Sequence, residues 1–188
     1  ELIKGYMPHL VGVEDHKGHS ICQSWTTENL TEILIKSINT GKSTVQSYPS
    51  EILRKLKHSR PTIYSPLMTK RILEELNCRT VFDPCIGWGG RMLGTAMKGG
   101  SYTGCEPFTR TFQGLTEIKK DFKLQNIEIH NKPVEDVLES LGEKTYEMCL
   151  TSPPYYDLEV YSHEATQSTE KYKTYDIWIQ EFLKPIIE

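Results

Sequence analysis

The chain has 188 residues, of which 37% are hydrophobic and 25% are charged, with 13 Gly and 10 Pro. These values are typical of one globular domain with a small appendage, and they exclude a collagenous or strongly disordered chain. The formal net charge of −3 excludes no class of partner. No apolar run reaches the roughly 18 residues that a membrane span needs, and residues 1–9 lack a signal-peptide pattern, so we expect a cytoplasmic protein without a membrane partner.

The five cysteines are odd in number and include no C-x-x-C pair, so we expect reduced thiols and neither a disulfide framework nor a zinc ribbon. Cys149 lies inside a predicted strand, and we expect it in the core rather than as a nucleophile. Histidines and a cysteine lie near the N-terminus, but they provide no second matched pair of the kind that zinc sites use. The sequence therefore predicts no metal site.

Positive charge is concentrated between Lys36 and Arg71, where eight lysine and arginine residues occur with a single acid, Glu51. Such a cluster is compatible with a surface that contacts nucleic-acid phosphates. A solvated helix face would have the same composition. The sequence leaves both interpretations open.

Residues 1–60 are predicted to form a helical extension. Apolar residues at helical spacing predict one helix from Thr26 to Ile38 and another from Pro49 to His58. A third helix is predicted at the start of the core, from Pro66 to Asn77. Its apolar residues are expected to face inward: Leu67, Ile72, Leu73 and Leu76.

From residue 61 onward, short apolar runs alternate with helical patterns. Strands are predicted at TVFDP, SYTGCEP, NIEIHN and YEMCLTSPP, with helices at GRMLGTAMK, RTFQGLTEIKKDF and VEDVLESL between them. This order is typical of a Rossmann-like, doubly wound and mostly parallel sheet, so residues 61–188 are predicted to form an α/β core. Ligands bind such sheets beyond the carboxyl ends of the strands, which makes the residues after each strand the candidate site.

The first predicted strand ends in DPCIGWGG, residues 83–90. Gly87 and Gly89 permit a positive φ and the close approach of a ligand, and the helix that follows directs its amide groups at the loop. Asp83 is placed either to accept from an ammonium group or to orient the loop. By itself, a glycine-rich loop fits both a nucleotide site and a structural turn.

Glu106 follows the second predicted strand, 23 positions after Asp83. An acid at this place in a Rossmann-like sheet is positioned to accept hydrogen bonds from the two ribose hydroxyls of an adenosine-bearing cofactor. A surface acid in a βα turn is the alternative. In combination with the glycine loop, the pattern favours ribose binding.

The fourth predicted strand leads into Thr-Ser-Pro-Pro-Tyr, residues 151–155. Two consecutive prolines fix two φ angles and remove two backbone donors, so this segment is predicted to form a stiff turn. The hydroxyl of Ser152 and the ring of Tyr155 on such a turn are suited to holding a flat substrate in one orientation.

The order DP-x-x-G-x-G-G, then an acid after a strand, then T-SPPY resembles the S-adenosylmethionine-dependent amino-methyltransferases of nucleic acids. The resemblance extends from about Tyr64 to Tyr161 and implies the class I methyltransferase fold with S-adenosylmethionine as cofactor. Within that family the SPPY form is most similar to enzymes that methylate N4 of cytosine in DNA, whereas NPPY or DPPY is commoner for N6 of adenine. An RNA base or a protein amide is the alternative substrate, and a non-catalytic nucleic-acid-binding subunit is the alternative from another class.

The resemblance also implies roles for individual residues. The catalytic turn comprises Ser152, Pro153, Pro154 and Tyr155. The implied cofactor contacts are Tyr64, Ser65, Asp83, Pro84, Cys85, Gly87, Gly89, Glu106, Pro107, Glu135, Asp136 and Thr151. In the family pattern the glycine loop lines the methionine end of the cofactor, Glu106 holds the ribose, and Glu135 with Asp136 contacts the adenine ring. Tyr64 and Ser65 match the segment that closes over the cofactor carboxylate.

On this interpretation Ser152 and the carbonyl of Pro153 accept hydrogen bonds from the target amine, and Tyr155 stacks on a base flipped out of the duplex. DNA is the expected partner, with RNA as the alternative, and a bacterial, viral or phage origin fits the pattern. Complete enzymes of this family have further strands after the SPPY strand. We therefore expect an incomplete sheet here, which further C-terminal residues or a partner subunit would complete.

Overall fold

The computed structural model of the protein describes residues 2–40 and 61–187. These residues divide into two compact units. Of the described residues, the first unit contains 2–8, 62–156 and 162–187, and the second contains 9–40, 61 and 157–161. The division differs from the single boundary expected after residue 60, because residues 2–8 belong to the unit with the parallel sheet and residues 157–161 belong to the other.

From Pro66 to Cys149 the helices and strands follow one another along the chain as the alternating pattern predicts. The described helices are α1 (Leu2–Tyr6), α2 (Ile21–Ser24), α3 (Thr27–Thr40), α4 (Pro66–Glu75), α5 (Gly90–Met97), α6 (Thr109–Asp121), α7 (Leu138–Leu141), α8 (Ser168–Lys171), α9 (Tyr175–Trp178) and α10 (Lys184–Ile187). The described strands are β1 (Glu14–Asp15), β2 (Thr80–Asp83), β3 (Ser101–Cys105), β4 (Ile127–His130), β5 (Met148–Cys149) and β6 (Glu159–Val160). Short 3-10 helices occupy Pro8–Gly12 and Val134–Asp136, and a π-helical turn occupies Ile179–Leu183.

A four-stranded parallel sheet with the order β4-β3-β2-β5 forms the centre of the first unit. The first strand of this sheet along the chain, β2, lies between the second and the fourth, so the strand order reverses between β2 and β5. Such a reversal is the switch point at which open α/β sheets bind ligands. The parallel sheet and its helices confirm the predicted α/β class and are compatible with a Rossmann-like fold.

Apolar side chains on the strands and their helices form the core of the first unit. Val81, Met92, Leu115 and Ile118 are fully buried. Helix α4 packs on α5 at a small residue: a Cβ at Gly94 would lie 2.5 Å from the Cβ of Thr69. Thr69 and Leu73, four residues apart on α4, are both fully buried. The buried face of α4 therefore differs from the predicted one. Leu73 is fully buried as predicted, but Leu67 and Leu76 are 65% and 61% exposed.

The first residues of the chain pack against α6. A Cβ at Gly114 would lie 2.5 Å from the carbonyl oxygen of Tyr6 and 2.8 Å from the Sδ of Met7, so only glycine permits this approach. The hydroxyl of Tyr6 donates to Asp121 at 2.8 Å. These contacts make residues 2–8 part of the first unit.

The second unit contains the predicted N-terminal helix, now seen as α3. Ile21 of α2 is buried against Leu30, Ile33 and Leu34 of α3. The antiparallel pair of β1 and β6 joins Glu14 to Val160. The helix predicted from Pro49 to His58 lies outside the described residues, as does most of the basic stretch.

The predicted helix VEDVLESL is divided into the 3-10 turn Val134–Asp136 and the single-turn helix α7. After α8, an aromatic cluster covers this region: Tyr172, Trp178 and Phe182 pack with Cys105 and Val134. Among residues 2–40 and 61–187, no helix combines the length and the apolar character that a membrane span requires.

Candidate active site

A buried ion pair orders the loop that follows β2. Arg91 Nε donates to Asp83 Oδ2 at 2.7 Å, and the side chains are 6% and 0% exposed. Arg91 also donates to the carbonyl oxygens of Cys85 and Ile86. One guanidinium therefore links the end of β2 to the backbone of the glycine loop.

All acceptor positions of Asp83 are used within the protein. Its Oδ1 accepts from the amide of Cys85 at 3.2 Å and from Arg91 Nη2 at 3.3 Å. Its Oδ2 accepts from Arg91 and, at 2.6 Å, from the hydroxyl of Tyr102. A carboxylate offers about four acceptor positions, and these four donors occupy them all, so none is left for an ammonium group of a ligand. Asp83 therefore orients the loop, which is one of the two roles that the sequence allowed.

Sequence reasoning missed Arg91. A signal was present: a lone cation stands in the first turn of the predicted helix GRMLGTAMK, eight positions after an acid at a strand end. A cation is unfavourable at a helix N-terminus unless a specific acid compensates it. Asp83 is that acid.

Two glycines in the loop are required by the backbone. Gly89 has φ = 81°, in the left-handed region that favours glycine. At Gly90 a Cβ would lie 1.9 Å from the carbonyl oxygen of Tyr64. The ring of Tyr64 also lies 5.6 Å from the guanidinium carbon of Arg91. The structure thus brings the predicted segment Tyr64–Ser65 and the glycine loop together.

Glu106, directly after β3, also contacts the glycine loop. Its Oε2 accepts from the amide of Gly87 at 2.9 Å and its Oε1 from the amide of Phe108 at 2.9 Å. The side chain is buried, and Asn131 donates to the Glu106 carbonyl. The ends of β2, β3 and β4 are therefore connected at one edge of the sheet, with acceptor positions of Glu106 still available for a ligand.

Burial raises the pKa of Glu106 to about 8, although hydrogen bonds from Phe108 and Gly87 oppose the shift. Between pH of about 4.5 and about 8 the folded chain holds a proton that the unfolded chain has released. The free energy of unfolding of the wild type should therefore fall with rising pH in this window, relative to Glu106→Gln, by about 1.4 kcal/mol per pKa unit of difference. Urea unfolding of both proteins at several pH values measures this, and parallel pH profiles would contradict it.

Two thiols near this edge are kept neutral. Burial raises the pKa of Cys85, and it raises the pKa of Cys105 to about 12, with the nearby carboxylates Asp83 and Glu106 adding to both shifts. A thiol, unlike a thiolate, is a poor nucleophile. Cys85 therefore lines the loop without nucleophilic chemistry, and it lies next to the hydroxyl of Thr151.

Glu135 and Asp136 follow β4, as predicted, in the 3-10 turn Val134–Asp136. Oε1 of Glu135 accepts from Lys171 Nζ and from the hydroxyl of Tyr172, each at 2.7 Å. Asp136 is exposed and lies 3.8 Å from the same ammonium group. Of the two acids, only Glu135 has a carboxylate oxygen held inside the unit.

The SPPY turn begins where β5 ends, beside β2. The amide of Leu150 donates to the carbonyl of Phe82 at 3.0 Å, so the chain leaves the sheet at residues 151–155. Ser152 is exposed and Tyr155 is 64% exposed, whereas Pro153 and Pro154 are half-buried. The groups predicted to meet a substrate are thus presented outward on a partly packed support. They do not contact the glycine loop through a hydrogen bond within the described residues.

Tyr156 anchors this turn, a role that the sequence did not reveal. It has φ = 53°, a left-handed conformation that is unusual for an aromatic residue. Its hydroxyl donates to the carbonyl of Lys173 at 3.1 Å, and its ring packs edge-on against Tyr175 with centroids 5.6 Å apart. The strained backbone directs consecutive tyrosines apart, so Tyr156 enters the aromatic cluster while Tyr155 stays exposed.

The expectation that Cys149 lies in the core is wrong, because its side chain is exposed. Within the described residues β5 pairs only with β2, and its other side has no strand. No group of three or more histidine, cysteine, aspartate or glutamate side chains in the described ranges is arranged to hold a metal ion.

An open depression of about 430 Å³ lies on α6 and the residues after it, lined by Lys119, Lys120 and Lys123 among others. Because α6 starts at the carboxyl edge of β3 and runs back along the sheet, the lysines at its far end lie at the opposite edge. The position argues against this depression as the ligand site of the sheet.

Comparison with known protein families, with curated proteins and with solved structures finds no match for this chain. The residues at the carboxyl edge of the sheet therefore carry the functional argument. They comprise a glycine loop fixed by Arg91, the buried acid Glu106 after β3, the half-buried acid Glu135 after β4, and a rigid turn with an exposed aromatic ring.

Proposed function

We propose that this chain is an S-adenosylmethionine-dependent methyltransferase of the class I type that modifies an exocyclic amine of a DNA base, with N4 of cytosine as the first target. One observation carries the proposal: the glycine loop and the SPPY turn follow β2 and β5, the two adjacent strands that flank the switch point. A cofactor in the loop and a substrate on the turn would thus meet at the site where this topology binds ligands.

The residues at this edge fit the cofactor. The loop residues Gly87 and Gly89 have positive φ values of 58° and 81°, which keeps side chains away from the backbone that a ligand approaches. Glu106 has free acceptor positions for ribose hydroxyls, and Glu135 has a buried carboxylate oxygen without a partner among the described residues. S-adenosylmethionine, when bound, supplies an electrophilic methyl group on a positively charged sulfonium.

The turn residues position the target amine. The lone pair of an exocyclic amine is delocalised into the ring, so hydrogen bonds to acceptors favour its pyramidal, more nucleophilic form. Ser152 and the carbonyl of Pro153 are acceptors held by consecutive prolines, and Tyr155 offers a stacking surface for a base flipped out of a duplex. Catalysis of this kind rests on orientation and electrostatics and needs no covalent enzyme intermediate.

The direct test is transfer of labelled methyl from S-adenosylmethionine to a panel of DNA, RNA and protein substrates. We expect labelling of DNA that contains cytosine targets, with the label on N4. Label found on N6 of adenine would show that adenine, not cytosine, is the target base, and the proposal of an amino-methyltransferase would stand. Binding of nucleic acid without cofactor binding or label transfer would instead identify a non-catalytic subunit.

Cofactor affinity should depend on Glu106. Glu106→Ala removes the oxygens that accept hydrogen bonds from the ribose hydroxyls. Hydrogen bonds to a charged group are each worth about 1.5–3 kcal/mol, so we expect the affinity for S-adenosylmethionine to fall at least about tenfold. The matched control is Glu117→Ala on α6, which replaces an exposed glutamate and should leave the affinity unchanged. Calorimetry with both variants measures the difference, and equal affinities in folded proteins would remove Glu106 from the site.

A further inference from the structure

Seven side-chain polar atoms of the first unit are buried without a hydrogen-bond partner among the described residues. Two of them belong to side chains in segments that pack at the ends of β3 and β4. They are the side-chain nitrogen Nε2 of Gln167 and the carboxylate oxygen Oε2 of Glu135. Gln167 is 8% exposed. Because buried polar groups are normally paired in proteins, an unpaired donor and an unpaired acceptor require an explanation.

Gln167 belongs to a segment that crosses two strand ends. On its N-terminal side, Glu164 accepts from the amide of Thr109 at 3.0 Å, and Thr166 donates to the carbonyl of Pro107 at 3.3 Å, which ties the segment to the end of β3. On its C-terminal side, Tyr172 donates to Glu135 after β4. The segment that contains Gln167 is thus tied at one end to the residues after β3 and at the other to Glu135 after β4.

The unpaired oxygen of Glu135 is fixed in place by the same segment. Lys171 and Tyr172 both donate to Oε1 at 2.7 Å, so the carboxylate orientation is set while Oε2 receives no donor. Burial, and then the hydrogen bond with Glu135, raises the pKa of Tyr172, which keeps the phenol protonated as a donor. Only one helical turn separates Gln167 from Lys171, since the amide of Lys171 donates to the Gln167 carbonyl at 3.0 Å.

We propose that Gln167 is a specificity-determining residue for the base of the cofactor, an inference that rests on the proposed function. Nε2 of Gln167 donates to a ring nitrogen of adenine, and Oε2 of Glu135 accepts from the exocyclic amine. Adenine presents an acceptor nitrogen beside an amine donor, which complements this pair. The ring nitrogen is N1, next to the amine. A purine with a carbonyl at position 6 carries a hydrogen on N1, so it would set a donor against Nε2 of Gln167 and an oxygen against the Glu135 carboxylate.

The experiment compares two inert ligands by calorimetry, S-adenosylhomocysteine and S-inosylhomocysteine, which differ in the amine or carbonyl at position 6 of the purine. We expect the wild type to bind the adenosyl compound at least about tenfold more tightly, because a site built to pair with a donor rejects a ligand that lacks it. Gln167→Leu should weaken binding of the adenosyl compound at least about tenfold and reduce the preference between the two ligands. Gln113→Leu, at an exposed position of α6, is the matched control and should behave as the wild type.

The outcomes separate this inference from the proposed function. Wild-type protein that binds neither compound would overturn both. Wild-type protein that binds the two compounds equally, or a folded Gln167→Leu variant with unchanged affinities, would overturn the role of Gln167 and leave the methyltransferase proposal standing. If Gln167→Leu does not fold, the test is the ratio of the two wild-type affinities. A ratio near one would contradict base discrimination at this site.

Discussion

Replacing Tyr155 with alanine is expected to abolish most methyl transfer to DNA while preserving the affinity for S-adenosylmethionine. The ring is 64% exposed in the structure and is held outward by the anchored Tyr156 beside it, so its surface is available to a base. Stacking of a base on an aromatic side chain is worth about 1–3 kcal/mol, and a base without it loses its orientation toward the methyl group. Single-turnover transfer of labelled methyl measures the rate, and calorimetry measures the cofactor affinity.

Two further variants give this experiment its controls. Tyr155→Phe keeps the stacking surface and should retain much of the activity, because no role is assigned to the hydroxyl. Phe122→Ala removes an aromatic ring that is also exposed, at 43%, but that contacts Tyr6 and lies just after α6, so it should leave methyl transfer unchanged. Transfer by Tyr155→Ala at the wild-type rate would contradict the mechanism proposed for the SPPY turn.

Replacing Arg91 with leucine is expected to destabilise the fold by about 3–5 kcal/mol, because it leaves the carboxylate of Asp83 buried without its charge partner. The remaining donors to Asp83 would be the amide of Cys85 and the hydroxyl of Tyr102. Arg91→Lys keeps a charge but loses the forked geometry that reaches both Asp83 and the loop carbonyls, so it should be only partly tolerated. Urea unfolding of each variant measures these differences.

The chain offers a control with nearly the same ion-pair distance. Arg71 Nε lies 2.8 Å from Glu75 Oε1 on α4, but the two side chains are 72% and 62% exposed. Exposed pairs four residues apart on a helix contribute little, so Arg71→Leu should change the free energy of unfolding by less than about 0.5 kcal/mol. Equal unfolding midpoints for Arg91→Leu and Arg71→Leu would contradict the prediction, because they would show that the buried ion pair contributes no more to stability than the exposed one.

Local sequence patterns were sufficient to predict the order of elements in the first unit. Short apolar runs predict β2 to β5, and the residue types at the ends of these strands indicate Asp83, Glu106 and Glu135. The inference works because parallel strands collect their carboxyl ends at one edge, so sequence position alone indicates spatial proximity. The depth of the Glu106 carboxylate and its contact with Gly87 depend on packing that no local pattern encodes.

The errors and omissions share a physical origin in long-range contacts. Leu67 and Leu76 belong to the same apolar helical pattern as Leu73, but the close approach of Thr69 to Gly94 sets which face of α4 is buried. Cys149 lies in an apolar run, yet its strand is bounded by a single described neighbour. The stretch from Glu164 to Tyr172 has no periodicity, and its contacts with Thr109 and Glu135 appear only when the chain is folded.

The packing of Met7 on Gly114 has a consequence for how the protein is made. Met7 is 1% exposed in the folded chain, and its partner lies more than a hundred residues later in the sequence. At about 5–20 residues per second, a ribosome needs about 5–20 s between these two residues. During that interval the helix that buries Met7 does not yet exist, so this side chain stays exposed until α6 has been synthesised.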